Sequence, residues 1–211
     1  MRYYIIPARE GSKGIPHKNR KLFKYTADTI PEPWREDTIV TTVDPAIIKQ
    51  ARKYNFIPHI RSKELAGDDA DPRAALQDVV STMKLNPTDE IVMLYLTYPT
   101  RTFEDIGWAY QFYKDNNADS LLCREPVKTH PCLAMYDNGH NKGEQIISHE
   151  LYQRQQYPKC FELSHFIAIM SVDALMTKVN KNLYYSDTIY YPMERVLDID
   201  ILDDLKEFLN Q

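Results

Sequence analysis

The stretch RYYIIPAREGSKGIPHKN, residues 2–19, decides the predicted fold because it joins a strand to a charged loop. Residues 3–7 form a short apolar run, which predicts a buried strand. The loop that follows, residues 8–19, carries three lysine or arginine side chains, a serine hydroxyl and two glycines. Glycines let backbone N–H groups approach a phosphate chain closely, and cations offset its charge. The loop therefore suits a phosphate site. The P-loop and dinucleotide-binding glycine patterns are absent, and a solvated basic loop is the alternative.

Strand and helix patterns alternate along the chain after this loop. Strands are predicted at residues 38–42, 57–60, 90–97 and 119–123, and helices at 45–54, 72–84 and 103–116. Asp44 and Asp71 each precede a proline and are the predicted N-caps of two of these helices. The alternation predicts a three-layer α/β fold, in which a mostly parallel, twisted, Rossmann-like sheet carries helices on both faces. Ligands of such sheets bind beyond the carboxyl ends of the strands, where the charged loop would lie.

The last third of the sequence predicts a hairpin, two further strands and a closing helix. DNGHNKG, residues 137–143, predicts a turn between segments 132–136 and 145–148. Strands are predicted at 166–170 and 194–200, and an amphipathic helix at 201–209. Residues 1–211 are predicted to form a single domain, because no repeat, low-complexity tract or long linker divides them.

Composition limits the classes of partner and the compartment. The formal net charge of −4 argues against broad nucleic-acid binding. Cys123, Cys132 and Cys160 are odd in number and have no metal-site spacing, so we expect reduced thiols. The sequence has no apolar run long enough to cross a membrane and no signal-peptide pattern, so we expect a cytoplasmic protein with no membrane partner.

Two carboxylates near the carboxyl end of the chain suggest a metal site. In Asp198-Ile199-Asp200, alternation along an extended segment places both carboxylates on one side and Ile199 in the core. Neighbouring carboxylates repel each other unless a cation lies between them, and Mg²⁺ takes one or two carboxylates together with phosphate oxygens. The alternatives are a solvent-facing edge, or Asp200 acting as a cap of the final helix.

A resemblance to known proteins rests on six segments in chain order. They are IIPAREGSKGIPHKN (5–19), TIVTTVDPAIIKQARKYN (38–55), IRSKELAGDDA (60–70), MLYLTYPTRTFEDI (93–106), QRQQYPKCF (153–161) and VLDIDILDDL (196–205). These segments resemble motifs of the CMP-sialic acid synthetases, or acylneuraminate cytidylyltransferases. The resemblance implies a nucleotide-diphospho-sugar transferase fold and transfer of CMP from CTP to an acidic sugar. It also implies a homodimer in which residues 130–165 form an insertion for dimerisation and sugar binding.

The resemblance also implies roles for individual residues. The residues implied to bind the nucleotide are Arg9, Ser12, Lys18, Asn19 and Arg61. Lys13 would act in catalysis by stabilising charge as pyrophosphate leaves. Asp198 and Asp200 would hold Mg²⁺ (or Mn²⁺), and Asp200 would also help to deprotonate the attacking hydroxyl. Arg154 would bind the sugar carboxylate, in the neighbouring subunit of the dimer, because a planar guanidinium suits a carboxylate.

The sequence departs from the family pattern mainly where the sugar binds. Tyr95 stands where the family has a glutamine, and Ser164-His165-Phe166-Ile167-Ala168 stands where it has Asn-Gly-Ala-Ile-Tyr. Tyr95, Ser164 and Arg154 are therefore the candidate substrate-binding residues. The segment between Asn19 and Thr38 is short, and its two prolines argue against the full helix that the family carries there.

The preserved phosphate and metal positions predict a working transferase. The altered sugar positions predict that its sugar is another nonulosonic or 3-deoxy 2-keto acid rather than N-acetylneuraminic acid. Two alternatives stay open. The same fold could use a different nucleotide or sugar, or the chain could be a non-catalytic nucleotide- or sugar-binding relative.

Overall fold

The computed structural model of the chain describes residues 1–11, 14–62, 64–67, 71–178, 183 and 187–210. The strands in this part of the chain are β1 (Arg2–Pro7), β2 (Thr38–Thr42), β3 (Ile57–Ile60), β4 (Glu90–Met93), β5 (Ser120–Pro126), β6 (Met135–Asp137), β7 (Gly143–Gln145), β8 (Phe161–Ser171) and β9 (Ile189–Pro192). Seven of them form one mixed sheet in the order β3-β2-β1-β4-β8-β5-β9. β8 is antiparallel to both of its neighbours, and the other pairs are parallel. The sheet is therefore mostly parallel, as predicted.

Helices cover both faces of this sheet. They are α1 (Lys18–Thr29), α2 (Pro45–Lys53), α3 (Pro72–Met83), α4 (Phe103–Asp115), α5 (Val172–Thr177) and α6 (Leu202–Leu209). Side chains alternate along β1, so Ile6 packs in the core beneath α1, α2, α4 and α6, whereas Ile5 packs in the core beneath α3 and α5. The predicted three-layer architecture is confirmed.

Local sequence signals place several of these elements correctly. The Asp44 carboxylate accepts a hydrogen bond from the Ala46 N–H at 2.8 Å, and Asp71 accepts one from the Arg73 N–H at 2.9 Å. Both aspartates are therefore N-caps, as predicted, and a proline follows each at the first helical position. β2 and β3 have the predicted bounds. The turn that joins β6 to β7 contains Gly139, whose φ of 76° is one that glycine adopts without strain.

Two predictions about secondary structure are wrong. A full helix, α1, lies in the segment between Asn19 and Thr38, because it ends at Thr29 before Pro31 can interrupt it. Residues 194–200 are not a strand, and β9 is the last strand of the sheet instead. Their alternating pattern arises because Ile199 is fully buried while its neighbours are not. The Ile199 N–H donates to the carbonyl oxygen of Thr97 at 2.8 Å, which holds the segment across the exit of β4.

Two strands, β4 and β8, differ most from their predicted lengths. β4 ends at Met93, four residues before the predicted end, and residues 94–97 leave the sheet toward the cleft described below. β8 begins at Phe161, before the predicted start at residue 166, because its first half pairs with β5. Among the described residues, no helix is long and apolar enough to span a membrane.

Candidate active site

A cleft of about 440 Å³ opens at the carboxyl ends of β1, β2, β3 and β4. The antiparallel strand β8 contributes its first half to the opposite wall through Leu163 and His165. The predicted site residues that line the cleft are Arg9, Lys18, Asn19, Arg61, Tyr95, Asp198 and Asp200. Ser12 and Lys13 lie outside the described residues. The cleft lies where a mostly parallel sheet is expected to bind its ligand.

Lys18 joins the charged loop to the carboxyl-terminal aspartates. Its Nζ donates to the carbonyl oxygen of Ile199 at 2.8 Å and to Asp200 Oδ1 at 3.1 Å. Gly14 lies against the same segment, since a Cβ there would be only 3.0 Å from the Asp200 carbonyl oxygen. Asn19 Nδ2 donates to the Arg9 carbonyl oxygen at 2.8 Å and so fixes the loop from within. These contacts bring the predicted phosphate loop and the predicted metal site together.

Asp198 is the more deeply placed of the two predicted metal ligands. Its Oδ1 atom is buried and has no hydrogen-bond partner among the described residues. The pKa of the adjacent Tyr98 is raised by burial and by the negative charge of Asp198. The Asp200 side chain is 73% exposed. A buried carboxylate oxygen without a donor is costly unless a cation binds it, so the donor set fits a divalent metal.

The two carboxylates do not by themselves make a complete protein site for a metal ion. Among the described residues, no group of three or more His, Cys, Asp or Glu side chains is arranged to hold a metal ion. Mg²⁺ is commonly bound by one or two carboxylates together with phosphate oxygens of a substrate. Asp198 and Asp200 supply that number.

Arg61 occupies the wall formed by β2 and β3. Its Nε donates to Thr41 Oγ1 at 3.0 Å, and its NH2 group donates to the Thr41 carbonyl oxygen at 3.0 Å. Burial lowers the pKa of this guanidinium, which the neighbouring Tyr95 and Asp78 partly offset. The side chain stays positively charged and lines the cleft.

Two aromatic side chains form the opposite wall. The rings of Tyr95 and His165 meet edge to face, with their centroids 5.6 Å apart. Burial lowers the pKa of His165, and the negative charge of Asp198 acts in the other direction. Ser164 is buried beside Tyr98 and is not among the residues that line the cleft. Side chains alternate along a strand, so His165, next to the buried Ser164, faces the cleft. This alternation is the sequence signal that could have identified His165.

Arg101 is a buried residue beneath the cleft that the sequence analysis did not single out. Its guanidinium donates to the carbonyl oxygens of Phe166 at 2.6 Å and of Tyr95 at 2.9 Å. It thereby links the segment that follows β4 to β8. Burial lowers the pKa of Arg101 to about 10.

Arg154 lies apart from the cleft. It begins a short 3₁₀ turn, Arg154–Gln156, and its side chain is exposed. The surrounding segment also exposes large apolar side chains, among them Met135 and Tyr152. A role for Arg154 at the sugar of the same subunit is not supported by this position, and its role at a neighbouring subunit stays a prediction.

Comparison with known proteins identifies relatives over nearly the whole chain. No family model matches it. An N-acylneuraminate cytidylyltransferase of Streptococcus agalactiae is 28% identical over 213 residues, which cover 95% of this chain and 50% of that protein. A pseudaminic acid cytidylyltransferase of Campylobacter jejuni is 27% identical over 213 residues, which cover 96% of this chain and 92% of that protein. The chain is thus similar to acylneuraminate and pseudaminic acid cytidylyltransferases over nearly its whole length. It spans about half the length of the streptococcal relative.

A solved structure supports the fold of the chain. A CMP:2-keto-3-deoxy-manno-octonic acid synthetase complexed with CTP has a TM-score of 0.67, and the match covers 98% of this chain and 96% of that one. The two sequences are 13% identical, so this likeness concerns the fold alone. The resemblance predicted from six segments is confirmed, and so is the predicted fold class.

Proposed function

We propose that the chain is a cytidylyltransferase that transfers CMP from CTP to an acidic 2-keto sugar and releases pyrophosphate. The observation that carries this proposal is the contact of Lys18 with Asp200 in a single cleft at the carboxyl ends of the strands. It joins a cationic, glycine-containing loop to a pair of carboxylates, as phosphoryl-type transfer requires. The names of the Streptococcus and Campylobacter relatives favour CTP and an acidic nonulosonic sugar.

The proposed reaction depends on positioning and charge neutralisation. The sugar hydroxyl attacks the α-phosphorus of CTP, the bond from that phosphorus to the β-phosphate bridging oxygen breaks, and pyrophosphate leaves. Arg9 and Lys18 line the cleft and would offset the charge on the phosphates. Arg61 would contact the nucleotide near its base and sugar. Ser12 and Lys13 stay predictions, with Lys13 assigned to the charge on the departing pyrophosphate.

Asp198 and Asp200 are proposed to hold Mg²⁺ (or Mn²⁺). A divalent ion bound there would supply charge neutralisation to the phosphates and to the attacking hydroxyl. The buried Oδ1 of Asp198, which has no partner in the part of the chain that the structure describes, supports this assignment. Asp200, which Lys18 contacts, is proposed to help take the proton of the attacking hydroxyl.

The acceptor sugar is proposed to bind beside Tyr95. The edge-to-face pair of Tyr95 and His165 fills the wall where the family has glutamine and glycine, so the space for the sugar differs in shape. We therefore propose a nonulosonic or 3-deoxy 2-keto acid other than N-acetylneuraminic acid. Ser164, at the first position of the altered segment, would act through Tyr98 rather than by direct contact.

Pyrophosphate release tests the proposed function. Protein and Mg²⁺ are mixed with each of four nucleoside triphosphates and a panel of 2-keto acid sugars, and released pyrophosphate is measured. We expect release with CTP and an acidic 2-keto sugar, and at least about tenfold slower turnover of N-acetylneuraminic acid, as one lost pocket contact would cause. Release with UTP or GTP but not with CTP would show that the enzyme uses a different nucleotide from the one proposed. CTP binding without release from any pair would show a non-catalytic relative.

We further propose that the protein forms a homodimer through residues 130–165. Tyr152 is 93% exposed and Met135 is 63% exposed, and clustered apolar side chains of this size commonly mark an interface. Sedimentation should give a mass of twice 24.7 kDa. Tyr152→Asp should shift the mass toward that of one chain, because it would bury an unpaired charge in the interface.

A matched variant tests this dimer surface. Trp108 on α4 is also exposed but lies outside residues 130–165, so Trp108→Asp should leave the mass unchanged. A wild-type mass near one chain would contradict the dimer. In a dimer, Arg154→Ala is expected to raise the KM for the sugar more than the KM for CTP.

A cytoplasmic location is also proposed. Cys123, Cys132 and Cys160 are free thiols, as in proteins of reducing compartments. Secretion of the active protein by its native cell would contradict the proposal.

A further inference from the structure

A buried chain of polar side chains runs from α3 to the cleft. His59 on β3 is 2% exposed, and its Nδ1 lies 3.0 Å from Thr41 Oγ1. Its Nε2 lies 3.5 Å from Asp78 Oδ2 on α3. Thr41 Oγ1 in turn accepts the Nε–H of Arg61 at 3.0 Å. Thr41 and His59 are paired residues of adjacent parallel strands, so the register of the sheet fixes their contact.

The partners of each group indicate where the protons lie. An arginine Nε is always a donor, so Thr41 Oγ1 accepts from Arg61. The carboxylate of Asp78 is an acceptor beside His59 Nε2, so we infer that the single proton of the neutral imidazole is on Nε2. Nδ1 is then the acceptor for the hydroxyl hydrogen of Thr41. Burial keeps the pKa of His59 below its ordinary value, with Asp78 acting in the other direction.

We propose that His59 is a positioning residue that sets the direction of Arg61 through the Thr41 hydroxyl, and that it thereby tunes nucleotide affinity. This inference rests on the proposed function, since Arg61 is assigned there to the nucleotide. The Thr41 hydroxyl and carbonyl hold one edge of the guanidinium, so its remaining N–H groups keep one direction in the cleft. An apolar residue usually fills a buried strand position of this kind. His59 instead has a polar partner at each ring nitrogen, which packing alone would not require.

Two substitutions at one position separate positioning from packing. His59→Phe keeps a ring but removes the acceptor for Thr41, whereas His59→Asn places an amide oxygen near the position of Nδ1. Loss of one hydrogen bond corresponds to about a fivefold to tenfold change in an equilibrium constant. We expect His59→Phe to raise the KM for CTP by about that factor with kcat within about twofold. His59→Asn should restore the KM to within about threefold of the wild type.

A double-mutant cycle tests whether His59 acts through Thr41. Thr41→Val should raise the KM for CTP at least as much as His59→Phe, and adding His59→Phe to it should cause little further change. Thr38→Val is the matched control, because Thr38 is also a buried hydroxyl on β2 but bonds the Trp34 carbonyl oxygen at the far end of the strand. Additive effects of the two substitutions, or an unchanged KM in His59→Phe, would overturn the proposal.

A readout without nucleotide keeps this inference separate from the proposed function. In ¹⁵N NMR spectra at pH 7, His59 should be the Nε2–H tautomer, and the Arg61 Nε–H should be protected from exchange. His59→Phe should remove that protection and His59→Asn should retain it. Equal protection in the wild type and His59→Phe, or a proton on Nδ1, would overturn the inference. Failure of the wild type to turn over CTP would instead contradict the proposed function alone.

Discussion

Asp198→Asn should lower the rate of pyrophosphate release by about a thousandfold, which corresponds to about 4 kcal/mol of lost transition-state stabilisation. The Oδ1 atom of Asp198 is buried and has no hydrogen-bond donor among the described residues. The Tyr98 hydroxyl, a neutral group, also bonds the Asp198 side chain. A neutral amide of the same shape would remove the charge that the proposed metal site needs. The initial rate at saturating CTP, sugar and Mg²⁺ measures the effect.

The same variant should behave differently when no reaction takes place. Mg²⁺ with CTP should raise the melting temperature of the wild type but not that of Asp198→Asn, because ligands stabilise only a protein that binds them. Without Mg²⁺ the variant should be about as stable as the wild type, since it loses a partly buried charge while its amide oxygen can still accept from Tyr98. Asp203→Asn is the control, because Asp203 is an exposed acid paired with Lys206. Full activity in Asp198→Asn would refute the metal assignment.

Asp200→Asn should also abolish turnover, because the proposed metal and the attacking hydroxyl would both lose this carboxylate. Asp200 accepts a hydrogen bond from Lys18 at 3.1 Å, and its side chain is largely exposed. Exposed ion pairs contribute little to stability, so the melting temperature without Mg²⁺ should change little. Full activity in Asp200→Asn would leave Asp198 as the one supported acidic residue of the site.

The sequence predicts best what short-range signals determine. Asp44 and Asp71 mark the starts of α2 and α3, because each is an N-cap followed by a proline. β2 is a continuous β-branched run. The prediction of a strand at residues 194–200 is wrong, because burial of Ile199 alone imitates the alternation of a strand. The prediction is also wrong at α1, because Pro31 and Pro33 follow this helix and do not interrupt it.

The candidate site divides in the same way. Several residues that line the cleft were predicted from the sequence. They belong to motifs that are contiguous in sequence, such as the loop with Arg9 and the aspartates at 198 and 200. The buried support was not predicted, because it depends on contacts between distant segments. Arg101 meets Phe166 across 65 positions, and Thr41 meets His59 only through the pairing of two strands. Neither contact leaves a local pattern in the sequence.

Arg101→Met should lower the free energy of unfolding by about 3 kcal/mol, because two buried carbonyl oxygens, of Tyr95 and Phe166, would lose a charged donor. Methionine has a similar length and no charge, so packing changes little and the loss reports mainly on hydrogen bonding. Urea unfolding measures it, with Arg52→Met on the exposed face of α2 as the control.

Arg101→Lys distinguishes charge from geometry at the same position. A lysine keeps the positive charge but replaces a planar fork with a single ammonium group, which cannot direct donors at both carbonyl oxygens in the same way. We expect an intermediate loss of about 1–2 kcal/mol. Because the Tyr95 carbonyl is one of the two acceptors, and the Tyr95 ring lines the proposed sugar side, the KM for the sugar should rise more than the KM for CTP. A lysine variant as unstable as the methionine variant would show that two-point geometry, and not charge, holds β4 to β8. An unchanged unfolding free energy in both would show that neither carbonyl depends on Arg101.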